Sequence, residues 1–142
     1  MKSGLLTFFA LLLLACNKDQ TDPPNEFEVN KNKWEALDLN SYSFTLQISC
    51  FCTEETTRPK EIKVVNNQIT LVNEIPYDPE DHWNVMTISQ LFDEIENAER
   101  EEVFMLSVEY DTDKGFPNSV YIDREEMIAD EEIGYTVTNL KH

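Results

Sequence analysis

The chain is 142 residues long and carries 28 acidic against 11 basic side chains, a formal net charge of −17. An acid excess of that size repels DNA and RNA, whose binding proteins display basic patches, so nucleic acid is excluded as a partner. It keeps a folded domain soluble and can favour cationic partners or metal ions.

The N-terminus runs from Met1 and Lys2 into an apolar stretch, Leu5 to Ala15, of eleven residues. A bilayer core needs about 20, so this segment is too short to span one. A charged start, a short apolar middle and a small terminal residue predict a secretory signal peptide over residues 1–15. The four residues spanning its end, Leu13-Leu14-Ala15-Cys16, resemble the bacterial lipobox, which predicts cleavage before Cys16 and acylation of its sulfur. An ordinary signal peptide, with Cys16 merely near the cut, is the alternative. One acyl chain holds a protein only marginally, at about 0.8 kcal/mol per buried methylene, whereas two or three hold it almost permanently. The membrane is therefore an expected partner, reached through an N-terminal anchor. The expected location is the cell envelope at the outer membrane, on its periplasmic or surface face.

Cleavage removes one of the 11 basic residues, Lys2, and no acidic one, so the mature charge is −18. Residues 16–30 hold Asp19, Asp22, Pro23, Pro24 and Glu26 and little that is apolar. Such a segment buries too little surface to offset its ordering entropy and reads as a disordered acidic tether. Residues 31–142 are enough for one domain around one core, without an internal repeat.

In chain order, Trp34, Leu37 and Leu39 predict a short helix near Lys31 to Asp38. Tyr42, Phe44, Leu46, Ile48, Cys50 and Cys52 then alternate with Ser43, Thr45, Gln47, Ser49 and Phe51 in strict period two, the pattern of a half-buried strand. Ile62 and Val64, then Asn66-Asn67, then Ile69 and Leu71 predict a hairpin, because asparagine tolerates the positive φ of a tight turn. From Thr87 to Arg100 the period lengthens. Ile88, Leu91, Phe92, Ile95 and Ala98 form one helical stripe, with Asp93, Glu94, Glu96 and Glu99 facing outward. Thr87 and Gln90 fit a capping box. Period two returns in Phe104, Leu106, Val108 and Tyr110. After a loop, Val120 and Ile122 form the returning strand, and Ile133, Tyr135 and Val137 a last one. Short connections predict an α+β domain: an antiparallel meander of about five or six strands, with one short N-terminal helix and one central helix packed on one face.

With Cys16 lipidated, Cys50 and Cys52 are the remaining cysteines. An oxidising compartment permits a disulfide between them. Alternate residues of a flat strand lie about 6.6 Å apart, close to the limit for a bridge, so a bond here needs a bulge or a strand end. Free buried thiols and metal or redox chemistry are the alternatives. Zinc wants four ligands, and the chain adds only His82 and His142.

The segments "SYSFTLQISCFC", "EIKVVNNQITLV", "TISQLFDEIENA", "VEYDTDKGFPNSVYID" and "DEEIGYTVTNL", in this order, resemble domain of unknown function 6174. That family comprises secreted bacterial proteins and lipoproteins with no established activity. The resemblance covers roughly Trp34 to Leu140. Its most specific pieces are Cys50-Phe51-Cys52 and the run from Tyr110-Asp111 through Gly115-Phe116-Pro117 to Ile122-Asp123. It implies that the cysteine pair and the Gly-Phe-Pro loop are common scaffold, and it adds no catalytic residue. Gly115 is expected to take a backbone conformation closed to other residues, and Pro117 to stiffen the start of the return strand.

Candidate chemistry is thin. Asp111-x-Asp113-x-Gly115 opens like a calcium loop, but the later EF-hand positions hold Gly115, Phe116 and Ile122 instead of an oxygen ligand, glycine and glutamate. Asp123, Glu125, Glu126, Asp130, Glu131 and Glu132 form a denser acidic group that would meet over a divalent cation if the loop folded back; Asp130, Glu131 and Glu132 are its weak metal candidates. A solvated loop is the plainer reading. Glu80, Asp81 and His82 are an acid–base set for a hydrolase, though a surface histidine beside acids is the commoner case. The chain has no Gly-x-Ser-x-Gly elbow, phosphate loop or dinucleotide fingerprint. The leading expectation is a monomeric, non-enzymatic envelope lipoprotein without cofactor, a binding or accessory module for a protein or envelope component. A cation-binding lipoprotein comes second and a hydrolase last.

Overall fold

A computed structural model describes residues 25–142 except Trp83 and Ala129. The leader and Cys16 lie outside the described residues. The first helix, α1, spans Glu26–Ala36 and begins inside what the sequence reading assigned to the tether. Asn25 caps it, its side chain accepting from the Glu28 amide at 2.8 Å. Glu26 and Glu28 then fall in the first turn, where the positive end of the helix dipole favours carboxylates. Phe27 and Trp34, seven residues apart, are both buried. Two turns of a helix thus put two aromatic rings on one face, and residues 26–30 belong to the domain. At its other end the helix stops at Ala36, short of the predicted Asp38.

Strand β1 (Tyr42–Cys50) buries Tyr42, Phe44, Leu46 and Ile48, as its alternation requires. It stops at Cys50, and Cys52 lies beyond it. A four-residue helix, α2 (Glu54–Thr57), leads to β2 (Lys60–Val65) and β3 (Gln68–Val72). Asn66 and Asn67 make the hairpin turn with φ of 52° and 62°. A register shift between Lys63 and Val64 leaves Leu71 half-buried and makes Val72 the fully buried residue. A two-residue strand, β4 (Ile75–Pro76), pairs with β3. Helix α3 (Ile88–Arg100) buries all five residues of its predicted stripe. The capping box is present: Gln90 N donates to Thr87 Oγ1 at 3.2 Å and Thr87 N to Gln90 Oε1 at 2.8 Å. Strands β5 (Met105–Tyr110), β6 (Pro117–Asp123) and β7 (Ile133–Lys141) complete the domain. Phe104 falls outside β5 and is 49% exposed, unlike the inward position its alternation with Leu106 predicts.

The fold is α+β, with one antiparallel sheet of seven strands in the order β4-β3-β2-β1-β7-β6-β5. The seventh strand is β4, too short and too poor in alternation to be read from sequence. The first half gives α1 and a meander of β1 to β4 with α2 between β1 and β2, the second gives α3 and a meander of β5 to β7, and β1 joins β7 where the halves meet. Aromatic rings knit the helices to the sheet. Phe27 meets Phe92 edge-on at 5.9 Å, Phe92 stacks on Tyr110 at 6.2 Å, and Trp34 meets Tyr42 at 5.3 Å. On the opposite sheet face the two central strands carry uncharged polar side chains, Ser43, Thr45, Gln47 and Ser49 on β1 with Thr136 and Thr138 on β7, flanked by Glu61 and Lys63 of β2 and Tyr121 of β6. Among the described residues no helix is long and apolar enough to cross a membrane.

Candidate functional site

Antiparallel pairing brings four strand ends together. Cys50 of β1 faces Ile133 of β7, Ile133 faces Ile122 of β6, and Asp123 faces Met105 of β5. At this end Cys50 and Cys52 form a disulfide with their Cα atoms 5.2 Å apart. The approach is shorter than a flat strand allows because the strand has already ended at Cys50. Phe51, between them, is 83% exposed.

The bonded pair also walls a cavity of about 140 Å³, lined by Ile48, Met86, Ile133 and Tyr135 among others. Beside it lies a larger, polar cleft of about 620 Å³ whose lining includes Arg58, Lys60, Asp81 and His82. Lys60 points inward from β2, and its ammonium donates to the carbonyl oxygens of Glu55, Thr56 and Arg58 at 2.9, 2.9 and 3.3 Å. It closes the C-terminal end of α2, where helix carbonyls are otherwise unpaired. Burial holds the Lys60 pKa below the ordinary lysine value, partly opposed by Glu55. Its donors are all committed to backbone, so it acts as a structural cap.

The sequence-predicted site residues disperse. His82 Nδ1 is 3.2 Å from the Asp78 carbonyl oxygen and its ring lies beside Tyr77, with no bond to Glu80 or Asp81. Asp111 is a turn-former: its side chain accepts from the amides of Asp113 at 3.1 Å and Lys114 at 2.7 Å, and its own amide donates to the Phe116 carbonyl. Gly115 has φ of 79°, and Phe116 is buried against Trp34. Pro117 is fully buried at the start of β6. These residues fasten the β5–β6 turn to α1, at the end of the sheet away from the disulfide. Asp123 is 9% exposed and its Oδ1 has no hydrogen-bond partner in the described structure. Asp130 is exposed and Glu131 and Glu132 half-buried. Among the described residues no three metal-ligating side chains converge.

Sequence reasoning missed two features. Arg124, just past β6, pairs with Glu94 of α3 at 2.8 Å and with Glu101, pinning the helix to the sheet end. The other is the set of large apolar side chains left in solvent beside the disulfide. Phe51 gave one signal for it, a large aromatic at the polar phase of a period-two strand.

Two tyrosines give the domain an alkaline limit. Tyr135, on the buried face of β7, is pushed up to about 12, chiefly by burial and then by Glu94. Tyr110 is raised to about 12 by burial, Glu99 and Glu26. In the unfolded chain a tyrosine titrates near 10, so above that pH the unfolded state loses its protons first. Stability from both groups is complete below pH 10 and is lost as pH climbs toward 12. Melting midpoints measured from pH 9 to 12 should fall over that interval, and less steeply in Tyr135→Phe; equal slopes in the two proteins would remove Tyr135 from this account.

A family of unknown function, DUF6174, has a model that matches residues 26–142, which is most of the chain. The chain belongs to the DUF6174 family. The match starts at the first residue of α1 and supports placing the domain boundary there instead of at residue 31. No curated protein and no solved structure matches the chain significantly. The DUF6174 assignment carries no activity, so any functional reading of this domain rests on its own surface.

Proposed function

We propose that this DUF6174 chain is a lipid-anchored, non-enzymatic binding module of the bacterial cell envelope, serving a protein partner. The observation that carries the anchor is the apolar run Leu5–Ala15, closing on Leu13-Leu14-Ala15-Cys16 and passing at once into Asn17-Lys18-Asp19. A thioether-linked diacylglyceryl group on Cys16 supplies two chains, and acylation of its amino group a third, enough for lasting membrane attachment. A binding role is supported by the large apolar side chains, Phe51 and Met127 above all, that the fold leaves in solvent at 83% and 91% exposure. Soluble domains rarely expose such groups together without a use for them.

Replacing Cys16 with serine tests the anchor. The wild-type chain should fractionate with membranes and carry the mass of a lipidated N-terminus. Cys16→Ser should leave the leader attached or release an unlipidated chain. A native product that is cleaved elsewhere, or whose Cys16 sulfur is free, would end this reading.

A further inference from the structure

The end of the sheet that carries the disulfide gathers five of the large exposed apolar side chains. Phe51 follows β1, Phe104 precedes β5 and Met105 opens it, and Met127 and Ile128 sit in the β6–β7 connection, with exposures of 83, 49, 49, 91 and 42%. Strands β1, β7, β6 and β5 are neighbours, so three interstrand steps of about 4.8 Å place the outer members about 14 Å apart. That is the span of an interface core. The apolar cavity of about 140 Å³ opens at the same end, under the disulfide. A void of roughly 150 Å³ holds a benzene molecule, so this one suits a single apolar side chain.

Charge says what kind of surface fits. Glu54 and Glu55 closely follow Phe51 in the chain, Glu101 and Glu102 precede Phe104, and Glu125 and Glu126 precede Met127, and all six are exposed. Arg58 is paired with Glu54 and Arg124 with Glu94 and Glu101, while Arg100 reaches only the neutral Asn97 side chain, so Glu55, Glu102, Glu125 and Glu126 still leave this end acidic. A second copy would set one acidic rim against another, an arrangement that costs several kcal/mol. An anionic bilayer surface would be repelled for the same reason. The tether also leaves from elsewhere: Glu26, where α1 starts, lines a cleft with Tyr110 and Thr112, at the other end of β5 from Met105.

We propose that the disulfide end of the sheet docks a protein segment in which lysine or arginine residues flank an exposed aliphatic side chain, and that this side chain enters the cavity beside Cys50–Cys52. The assignment rests on the binding-module reading above and names its surface and its partner's chemistry. Apolar knobs and a hole inside a charged rim are the usual anatomy of a binding hot spot. The disulfide holds Phe51 in place and so reduces the ordering cost of contact.

The test uses the full mature chain with Cys16→Ala, so that lipid does not interfere, and two synthetic amphipathic peptides, one of lysine and leucine and one of glutamate and leucine. The lysine–leucine peptide should bind, at least tenfold more weakly to Phe51→Ser/Met127→Ser, and within twofold of the parent chain to the control Leu37→Ser/Ile75→Ser. Raising sodium chloride from 50 to 500 mM should weaken it at least fivefold, and the glutamate peptide should not bind. Binding by the tip variant within twofold of the parent chain, or equal binding of both peptides, overturns the proposal. So does Phe51-dependent sedimentation with phosphatidylcholine vesicles, with or without phosphatidylglycerol, since the end would then be a membrane probe. These outcomes leave the anchor untouched, and a free Cys16 sulfur in the native protein leaves the peptide result untouched, so either reading can fail alone.

Discussion

Phe92→Ala should destabilise the domain by about 3–5 kcal/mol, the usual cost of emptying a fully buried aromatic site. Phe92 is 1% exposed at the centre of α3, edge-on to Phe27 and stacked on Tyr110. It is the ring through which α1, α3 and β5 meet, so neighbouring side chains cannot close the gap without moving a helix. Domains of this size have total stabilities of about 5–15 kcal/mol, so the variant should lose a large share of its margin. The melting midpoint should fall by more than 10 °C, at about 4 °C per kcal/mol. Phe51→Ala provides the contrast, because its ring is already in water and its removal should shift stability by less than about 0.5 kcal/mol. Urea titrations of the two variants check the pair. A Phe92→Ala loss below 1 kcal/mol would mean that α3 is not anchored through this ring.

That contrast marks the limit of what was legible beforehand. Strict period two placed β1, and a 3.6-residue stripe with Thr87 and Gln90 placed α3, because burial and hydrogen bonding there are decided within a few residues. The Asn66-Asn67 turn was readable for the same reason, since few residues accept positive φ at two successive positions. Pairing of β1 with β7 was not readable. It joins Thr45 to Thr138 across most of the domain, and nothing local in either strand specifies its neighbour. The start of α1 was missed because Glu26 and Glu28 resemble tether, whereas the decisive groups are the Asn25 cap and one buried ring, Phe27. The register shift that exchanges Leu71 for Val72 was likewise invisible, because an inserted bulge residue leaves composition unchanged.

The candidate surface was less legible still. Its members come from three separate stretches, after β1, at the start of β5 and in the β6–β7 connection, and only strand order makes them neighbours. Phe104 appeared as a core residue by alternation, and its exposure follows from β5 starting one residue later. The acids around Met127 were legible as composition and read first as a solvated loop and second as a cation site. In the fold they frame apolar side chains.

Gly115→Ala should destabilise the domain by about 3 kcal/mol, from backbone strain and overpacking together. Its φ of 79° lies in the left-handed region, which costs an alanine roughly 1–2 kcal/mol before any contact is considered. A Cβ there would also press on the Asn30 carbonyl oxygen and come within 2.7 Å of the Lys33 Cβ. Both belong to the middle of α1, where neither atom can swing aside as a side-chain tip can. Relief requires α1 to lift or the β5–β6 turn to open, and each route disturbs the packing of Phe116 on Trp34. Gly134 is the useful comparison. Its Cβ would meet the Ser49 hydroxyl, the end of a rotatable and exposed side chain, and its φ is outside the left-handed region. Gly134→Ala should therefore cost less than about 1 kcal/mol once Ser49 turns away. Denaturation midpoints order the two variants, and near-ultraviolet circular dichroism reports on Trp34. If Gly134→Ala proved the more damaging, or Gly115→Ala left the tryptophan signal and the midpoint unchanged, the close seating of α1 on the β5–β6 turn would have to be abandoned.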